Sequence, residues 1–234
     1  MSRLRRLAAL FAKTPLHPQW LLGGRVVPRG IREVTGKILD IGAGDRWIER
    51  ELSAGQVYVA LDYPSTGRDL YGARPDVFAD AGALPFADAT FDGVVCLEVI
   101  EHVPDPGRVI SEMARVLRPG GRAWLSMPFM YPLHDAPFDF QRYTEYGLRR
   151  DVGRAGLKVL ELRKSGHAMR AAGLLGSLAI AGGVHRSSGL LRVVLLPLAL
   201  VMIGAVNVMS YLASLVWPDW SHIASGYEVE VAKP

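Results

Sequence analysis

The chain has 234 residues, half of them apolar, with 27 Lys and Arg against 23 Asp and Glu for a net charge of +4. That length suits one substantial α/β domain with an appendage, and a single cysteine, Cys96, excludes an internal disulfide and suits a reducing compartment. An apolar share this high, with a positive mean hydropathy, sits poorly with a purely soluble protein.

Residues 1–37 hold eight Lys and Arg and one acidic residue, a net +7, so the remainder carries −3. Within MSRLRRLAALFAK, Leu4, Leu7, Ala8 and Phe11 share one helical face, with Arg3, Arg5, Arg6 and Lys13 around it. This basic amphipathic arm, residues 1–35, is expected to meet an anionic lipid surface rather than nucleic acid. Its apolar run is too short for a secretory signal, so it is expected to be retained.

From residue 36 onward, apolar runs of strand length recur between turn residues: KILDI, VYVAL, DVFA, DGVVCL, RAWLSM, LKVLEL and YEVEVA. Cys96 falls in the fourth and reads as core. Between the fourth and fifth runs, PGRVISEMARVL has apolar residues at helical spacing and ends in Arg118-Pro119-Gly120-Gly121, a helix stop. Strands alternating with helices predict a mostly parallel sheet, whose ligands bind at the carboxyl ends of the strands.

The first strand runs into Gly42-Ala43-Gly44, and a helix is expected over RWIERELS beyond it. Glycines there allow a tight turn and the approach of a ligand to the main chain, with a negative group favoured at a helix N-terminus. Trp47 stands where a dinucleotide fingerprint needs a third glycine, so the loop alone does not identify the ligand. Asp62 closes the second strand, placed to accept hydrogen bonds from ribose hydroxyls. A nucleoside-like ligand follows, either NAD or S-adenosylmethionine.

Downstream, DAGALPF, FD, EHVPDP and LRPGG follow the glycine loop in order. With these motifs the chain, over about residues 36–163, resembles the class I S-adenosylmethionine-dependent methyltransferases, notably the methyltransferase type 11 group. The resemblance implies a Rossmann-like, seven-stranded, mostly parallel sheet with helices on both faces and the last strand antiparallel. It also implies the cofactor contacts: Asp40, Gly42 and Gly44 for the methionine part, Asp62 for the ribose, Asp80 and Ala81 for adenine, and Leu97 and Glu98 beside the sulfonium. Arg46 departs from the family's usual third glycine.

A methyl sulfonium is already an activated electrophile, so the protein chiefly aligns an acceptor and excludes water. A base is needed when the acceptor is a hydroxyl; His102, His134 and Asp135 are the leading candidates, with Asp139, Arg142 and Tyr143 behind them. In this family the Glu-His pair often only organises the loop over the cofactor. Glu98, Glu101 and His102 form E-x-x-E-H, similar to the magnesium-binding set of some ubiquinone-pathway O-methyltransferases and small-RNA 2′-O-methyltransferases, with His134 available as a fourth ligand. Many relatives carry such a sequence without metal, so the spacing does not assign Mg2+.

Between the last two strands lies an insertion, at about residues 168–220. Ala171–Val184 forms a shorter apolar run, and Val193–Trp217 contains no charge and is long enough to span a bilayer. Because the strands flanking it must share one sheet, the insertion crosses an even number of times or not at all, and the short first run favours a re-entrant or in-plane hairpin. Asn207, Ser210, Tyr211 and Ser214 make a polar stripe on the longer run, as on a helix lying at an interface. The expectation is a cytoplasmic enzyme, peripheral or monotopic on the inner membrane face, methylating an O or N atom of a lipophilic or lipid-linked acceptor, with no nucleic acid partner. The rivals are a soluble small-molecule methyltransferase using the insertion as a lid, and a non-catalytic membrane-bound partner with this fold.

Overall fold

The computed structural model describes residues 11–68 and 72–234; the amphipathic face Leu4–Ala8 lies outside them. The chain divides into two compact units, one built from Val26–Phe129, Leu133–Arg163 and Tyr227–Pro234, the other from Met1–Arg25, Met130–Pro132 and Lys164–Gly226.

The first unit carries the sheet. Its strands are β1 (Lys37–Ile41), β2 (Val57–Asp62), β3 (Val77–Phe78), β4 (Phe91–Leu97), β5 (Leu117–Pro128), β6 (Lys158–Ser165) and β7 (Gly226–Ala232). Their order is β3-β2-β1-β4-β5-β7-β6, so all seven apolar runs of the sequence became strands of one sheet. Strands β1 to β5 pair in parallel. Gly120 N donates to Lys233 O and Lys233 N to Gly121 O, which sets the start of β5 against the end of β7, antiparallel. The order reverses at β1 and β4, where an open α/β sheet receives its ligand.

Ile38, Val95 and Trp124 project from one face into a core that includes Ile31 and Ile48. Those two residues come from short 3-10 turns, Ile31–Glu33 and Ile48–Glu51. The neighbours Leu39, Ile41, Val94, Cys96 and Leu125 are buried as well, as expected where a parallel sheet is covered on both faces. Cys96 is fully buried, and burial pushes its thiol well above the ordinary range, so it is core and not a nucleophile.

Helix α1 (Pro106–Val116) starts on Asp105, whose Oδ1 accepts from Arg108 N at 3.0 Å, with Pro106 at the first helical position. It buries Val109, Ile110, Met113 and Val116. The chain then enters β5 directly at Leu117: the register jumps from Phe91↔Leu117 to Gly93↔Arg122, so Pro119, Gly120 and Gly121 form a bulge within the strand. Helix α2 (Glu145–Arg154) is capped by Thr144, whose Oγ1 accepts from Gly147 N.

The expected helix over RWIERELS is absent. Arg46 sits at φ +57 and Leu52 is already extended, leaving only the 3-10 turn Ile48–Glu51, closed by Arg50 N to Trp47 O and Leu52 N to Glu49 O. Five residues between two such breaks leave no room for an i→i−4 ladder, so no α-helix N-terminus faces the glycine loop.

The second unit is a helical hairpin, α3 (Ala168–Arg186) and α4 (Gly189–Val216), packed with the N-terminal segment. The helices approach closely at Gly173, where a Cβ would collide with the Ser210 side chain. Ser177 Oγ donates to Asn207 Oδ1 at 2.8 Å in a fully buried contact. Asn207 Nδ2 donates to Pro15 O at 2.6 Å and His17 O at 2.9 Å. Arg170 Nε donates to Ser214 Oγ at 2.8 Å, and its guanidinium lies over Tyr211, which also stacks with Trp20. The polar stripe therefore points inward, spent on α3 and the N-terminal segment, and does not mark a water-facing side as its spacing suggested.

Candidate active site

At the end of β1, Gly42 N and Ala43 N donate to Leu61 O at 2.8 and 3.1 Å, folding the loop back over β2. Gly42 has φ +73, and a Cβ on it would collide with Val99 Cγ2. Its missing side chain thus admits the protein's own β4 loop. Gly44 is different: at φ +51, a Cβ would meet nothing nearer than Gly42 O at 3.9 Å. Open space lies beside its main chain, and it is here that a ligand can approach.

Asp62, at the end of β2, is buried; its Oδ2 accepts from Gly44 N at 3.0 Å and its Oδ1 from Tyr63 N at 2.8 Å. Asp40 is buried too, and accepts from the Tyr58 hydroxyl at 2.6 Å. Burial outweighs that hydrogen bond and pushes its carboxyl up to about 7, with the nearby Asp62 adding to the rise. Asp80 is exposed, its Oδ1 accepting from Gly82 N at 2.7 Å, beside the buried Ala81.

Arg46 has a left-handed backbone, φ +57, and its side chain supplies what a glycine cannot. It pairs with Glu49 at 2.9 Å and Asp76 at 3.0 Å, and lies over the Tyr58 ring. The departure from the family pattern thus braces the loop.

Leu97 ends β4, half-buried, and Glu98 follows at φ +55. Glu98 Oε1 accepts from Ser126 Oγ at 2.7 Å, and Glu98 N donates to Ser126 O. The carboxyl is open to solvent at its surface, yet the protein crowded around it raises its pKa.

A second group gathers around the 3-10 turn Ile100–His102. His102 Nδ1 lies 2.7 Å from the Phe138 carbonyl oxygen, which makes Nδ1 the protonated nitrogen of the neutral ring. Its Nε2 then faces Glu101 Oε1 at 3.6 Å and Asp135 Oδ2 at 4.0 Å. Burial draws the imidazole below its ordinary pKa. The His134 ring meets His102 edge-on, centroids 4.8 Å apart, and its Nδ1 lies 3.2 Å from Asp139 Oδ2. Asp139 accepts from Arg142 Nη2 at 2.8 Å and from His134 N at 2.9 Å, which holds its carboxyl well below the usual range. Gln141 Nε2 donates to Ile100 O and Val103 O, and Phe140 N to Glu101 O, tying this loop to the turn.

The structure thus brings His102, His134 and Asp135 together, with Asp139 and Arg142 behind them. Tyr143 is directed elsewhere, its hydroxyl donating to Asp151 of α2 at 2.7 Å. Tyr58, Ser126 and the Phe138 carbonyl carry no signal in the sequence, since their roles arise only from strand register and loop path. Its spacing places Glu101 only in a metal-binding set, yet it is fully buried and neither of its carboxylate oxygens has a hydrogen-bond partner. Burial, reinforced by the charge of Glu98, pushes it up to about 8. Glu101, His102 and His134 each offer a ligand atom within 4.8 Å of the others and could hold a metal ion; Glu98 is not in that group.

Residues 39–125 match the family described as a methyltransferase domain. Over that stretch the chain is similar to the class I S-adenosylmethionine-dependent methyltransferases. An uncharacterized methyltransferase of Mycolicibacterium paratuberculosis is 37% identical over 139 residues, 56% of this chain and 51% of that protein. The 27-O-demethylrifamycin SV methyltransferase of Amycolatopsis mediterranei is 40% identical over 97 residues, 42% of this chain and 34% of that enzyme. The chain spans about half the length of the first of these relatives, or less. Among solved structures, a methyltransferase complexed with the Haloferax volcanii Trm112 activator superposes with a TM-score of 0.55 at 16% identity, covering 98% of this chain and 94% of that one; the likeness is one of fold.

Room for a ligand lies beside Gly44, where the sequence resemblance puts the amino-acid part of the cofactor. The space beside Gly44, which a side chain would fill, adjoins an aspartate fixed at the tip of β2.

Proposed function

We propose that this chain transfers a methyl group from S-adenosylmethionine to an oxygen or nitrogen atom of a lipophilic or lipid-linked acceptor at a membrane surface. The sulfonium cofactor supplies an activated methyl group and leaves as S-adenosylhomocysteine. Asp40, Gly42 and Gly44 hold its amino-acid part, Asp62 its ribose, Asp80 and Ala81 its adenine, with Leu97 and Glu98 beside the sulfur.

His102 acts as the base for a hydroxyl acceptor. The Phe138 carbonyl fixes its Nδ1–H, so the proton released from the acceptor lands on Nε2. His134, oriented by Asp139, and Asp135 line the same recess and position the acceptor. An amine acceptor uses the same recess and needs only orientation and loss of a proton.

The observation that carries the membrane reading is α4. It is 28 residues long, apolar enough to cross a bilayer, and only 11% of its most apolar stretch is buried. Exposed apolar surface on this scale marks a lipid or partner interface, and the basic arm of residues 1–35 favours anionic lipid.

Fractionation of the source cell tests it. The protein is expected to sediment with membranes and to be released by detergent but not by salt, and labelled methyl is expected in the lipid extract. A fully soluble wild-type chain, or label confined to polar extracts, would defeat the reading.

A further inference from the structure

We propose that α4 lies in the plane of one leaflet and does not cross the bilayer, sinking its outward arc among the acyl chains of an anionic membrane while the N-terminal segment stays on the aqueous side. This rests on the membrane reading above and goes further, fixing the depth and sidedness of the contact.

The outward arc is continuous. At 100° per residue, the exposed Val194, Val201, Met202, Val208, Leu212 and Leu215 fall on one half of the helix, opposite the buried Ala199, Ile203 and Asn207. From Val193 to Val216 the helix carries no charge. An uncharged aliphatic arc with Arg186 and Arg192 exposed at its end matches acyl chains bordered by anionic headgroups.

Length alone allows a crossing, since Arg192 to Trp217 measures about 37 Å at 1.5 Å per residue against about 30 Å of hydrocarbon. The N-terminal segment forbids it. Asn207, which binds Pro15 O and His17 O, sits about 15 Å from Trp217 and about 22 Å from Arg192 along the axis. Leu16 packs near Gly204, closer still to the middle. In a crossing helix, residues 15–17 would lie deep in the hydrocarbon.

Over residues 12–22 that segment is made of turns and the 3-10 turn Trp20–Leu22, with Lys13 and Gln19 exposed. Irregular backbone facing lipid is not tolerated at such depth. In the in-plane arrangement the same segment lies on the side of α4 turned away from the acyl chains. The hairpin tip agrees: His185, Arg186 and Arg192 are exposed there, and Arg192 Nη2 donates to His185 O at 2.6 Å. Basic residues at the tip suit anionic headgroups on the near side of the membrane.

The test uses the full chain added to the outside of sealed phosphatidylcholine–phosphatidylglycerol vesicles. Single cysteines are placed at the tip (Ser187→Cys) and on the arc (Val201→Cys, Val208→Cys); the native Cys96 is buried and does not label. Binding of S-adenosylhomocysteine certifies that each variant is folded. A membrane-impermeant maleimide is expected to label Ser187→Cys on bound protein, and dyes at 201 and 208 are expected to be quenched equally by nitroxides placed high on the acyl chain. Omitting phosphatidylglycerol is expected to weaken binding at least severalfold; unchanged binding overturns the role given to anionic lipid.

Protection of Ser187→Cys until the vesicles are lysed, or quenching of position 201 or 208 chiefly at the bilayer centre, overturns the in-plane arrangement while leaving membrane binding intact. Failure of the wild-type chain to bind vesicles overturns both.

Discussion

His102 Nδ1 and the Phe138 carbonyl oxygen lie 2.7 Å apart, and this one contact fixes which imidazole nitrogen can accept a proton. Because burial lowers the pKa of the ring from its ordinary value of 6.5, the neutral, proton-accepting form persists to lower pH than for a free histidine. With a hydroxyl acceptor, kcat/KM is expected to fall only below pH 6.5 as His102 becomes charged. His102→Ala should lose about 10²-fold or more in kcat and lose that acidic limb, with cofactor affinity unchanged. An identical limb in the variant would refute the assignment.

Gly42 and Gly44 are predicted to fail differently. Gly42→Ala combines a left-handed backbone with a collision against Val99, so its melting temperature should drop. Gly44→Ala meets no protein atom closer than 3.9 Å; it should fold with a cost of about 1 kcal/mol but lose S-adenosylhomocysteine binding, because the methyl group occupies the ligand's space. Calorimetry and thermal melts on the two variants separate these effects, and full-affinity binding by Gly44→Ala would mean that the ligand lies elsewhere.

Asp62→Ala removes both the proposed ribose acceptor and the anchor of the Gly44 amide. Hydrogen bonds to a charged group contribute about 1.5–3 kcal/mol, so titration should show S-adenosylhomocysteine binding about tenfold to a hundredfold weaker. Wild-type affinity in the variant would exclude the assignment.

The sheet was legible because each strand is a short apolar run and a buried strand needs little else; all seven runs formed. The motif residues were legible for a similar reason, since glycine at Gly42 and an acid at Asp62 are needed by loop shape and strand-end chemistry. What the sequence hid depends on contacts between distant segments. RWIERELS has helical spacing, but Arg46 breaks the chain before it and Leu52 after it. The stripe through Asn207 has the spacing of a water-facing side, and only the partners Ser177, Pro15 and His17 reveal that it faces inward.

Glu101 is predicted to make stability fall as the pH rises. Its folded pKa of about 8 exceeds its ordinary value of 4.5, so between these values the folded chain holds a proton that the unfolded chain has released. Stability is therefore full below pH 4.5 as far as this group is concerned, and is lost progressively up to about pH 8, by at most a few kcal/mol. Glu101→Gln should flatten that part of the profile in denaturant melts at several pH values; an unchanged slope would show that the carboxyl finds a partner in solution. Methyl transfer is expected to survive EDTA. If chelation abolished it, Glu101, His102 and His134 would be metal ligands instead.

Asn207 ties the N-terminal segment to the hairpin. It is fully buried, and three groups depend on it: the Ser177 hydroxyl and the carbonyls of Pro15 and His17. Asn207→Ala would take this partner from the buried Ser177 hydroxyl and the half-buried Pro15 carbonyl, at a cost of about 1–3 kcal/mol for each that water cannot reach, while the His17 carbonyl keeps its hydrogen bond from Trp20 N. Leu16, packed near Gly204, Trp20, tilted against Tyr211, and the hydrogen bond from Gln19 Nε2 to the Tyr131 hydroxyl would then have to hold the segment. Limited trypsin digestion should consequently cut at Lys13 faster in Asn207→Ala than in the wild type, while S-adenosylhomocysteine binding by the methyltransferase domain is retained. Equal cutting rates would mean that the two carbonyl contacts contribute little to holding the segment in place.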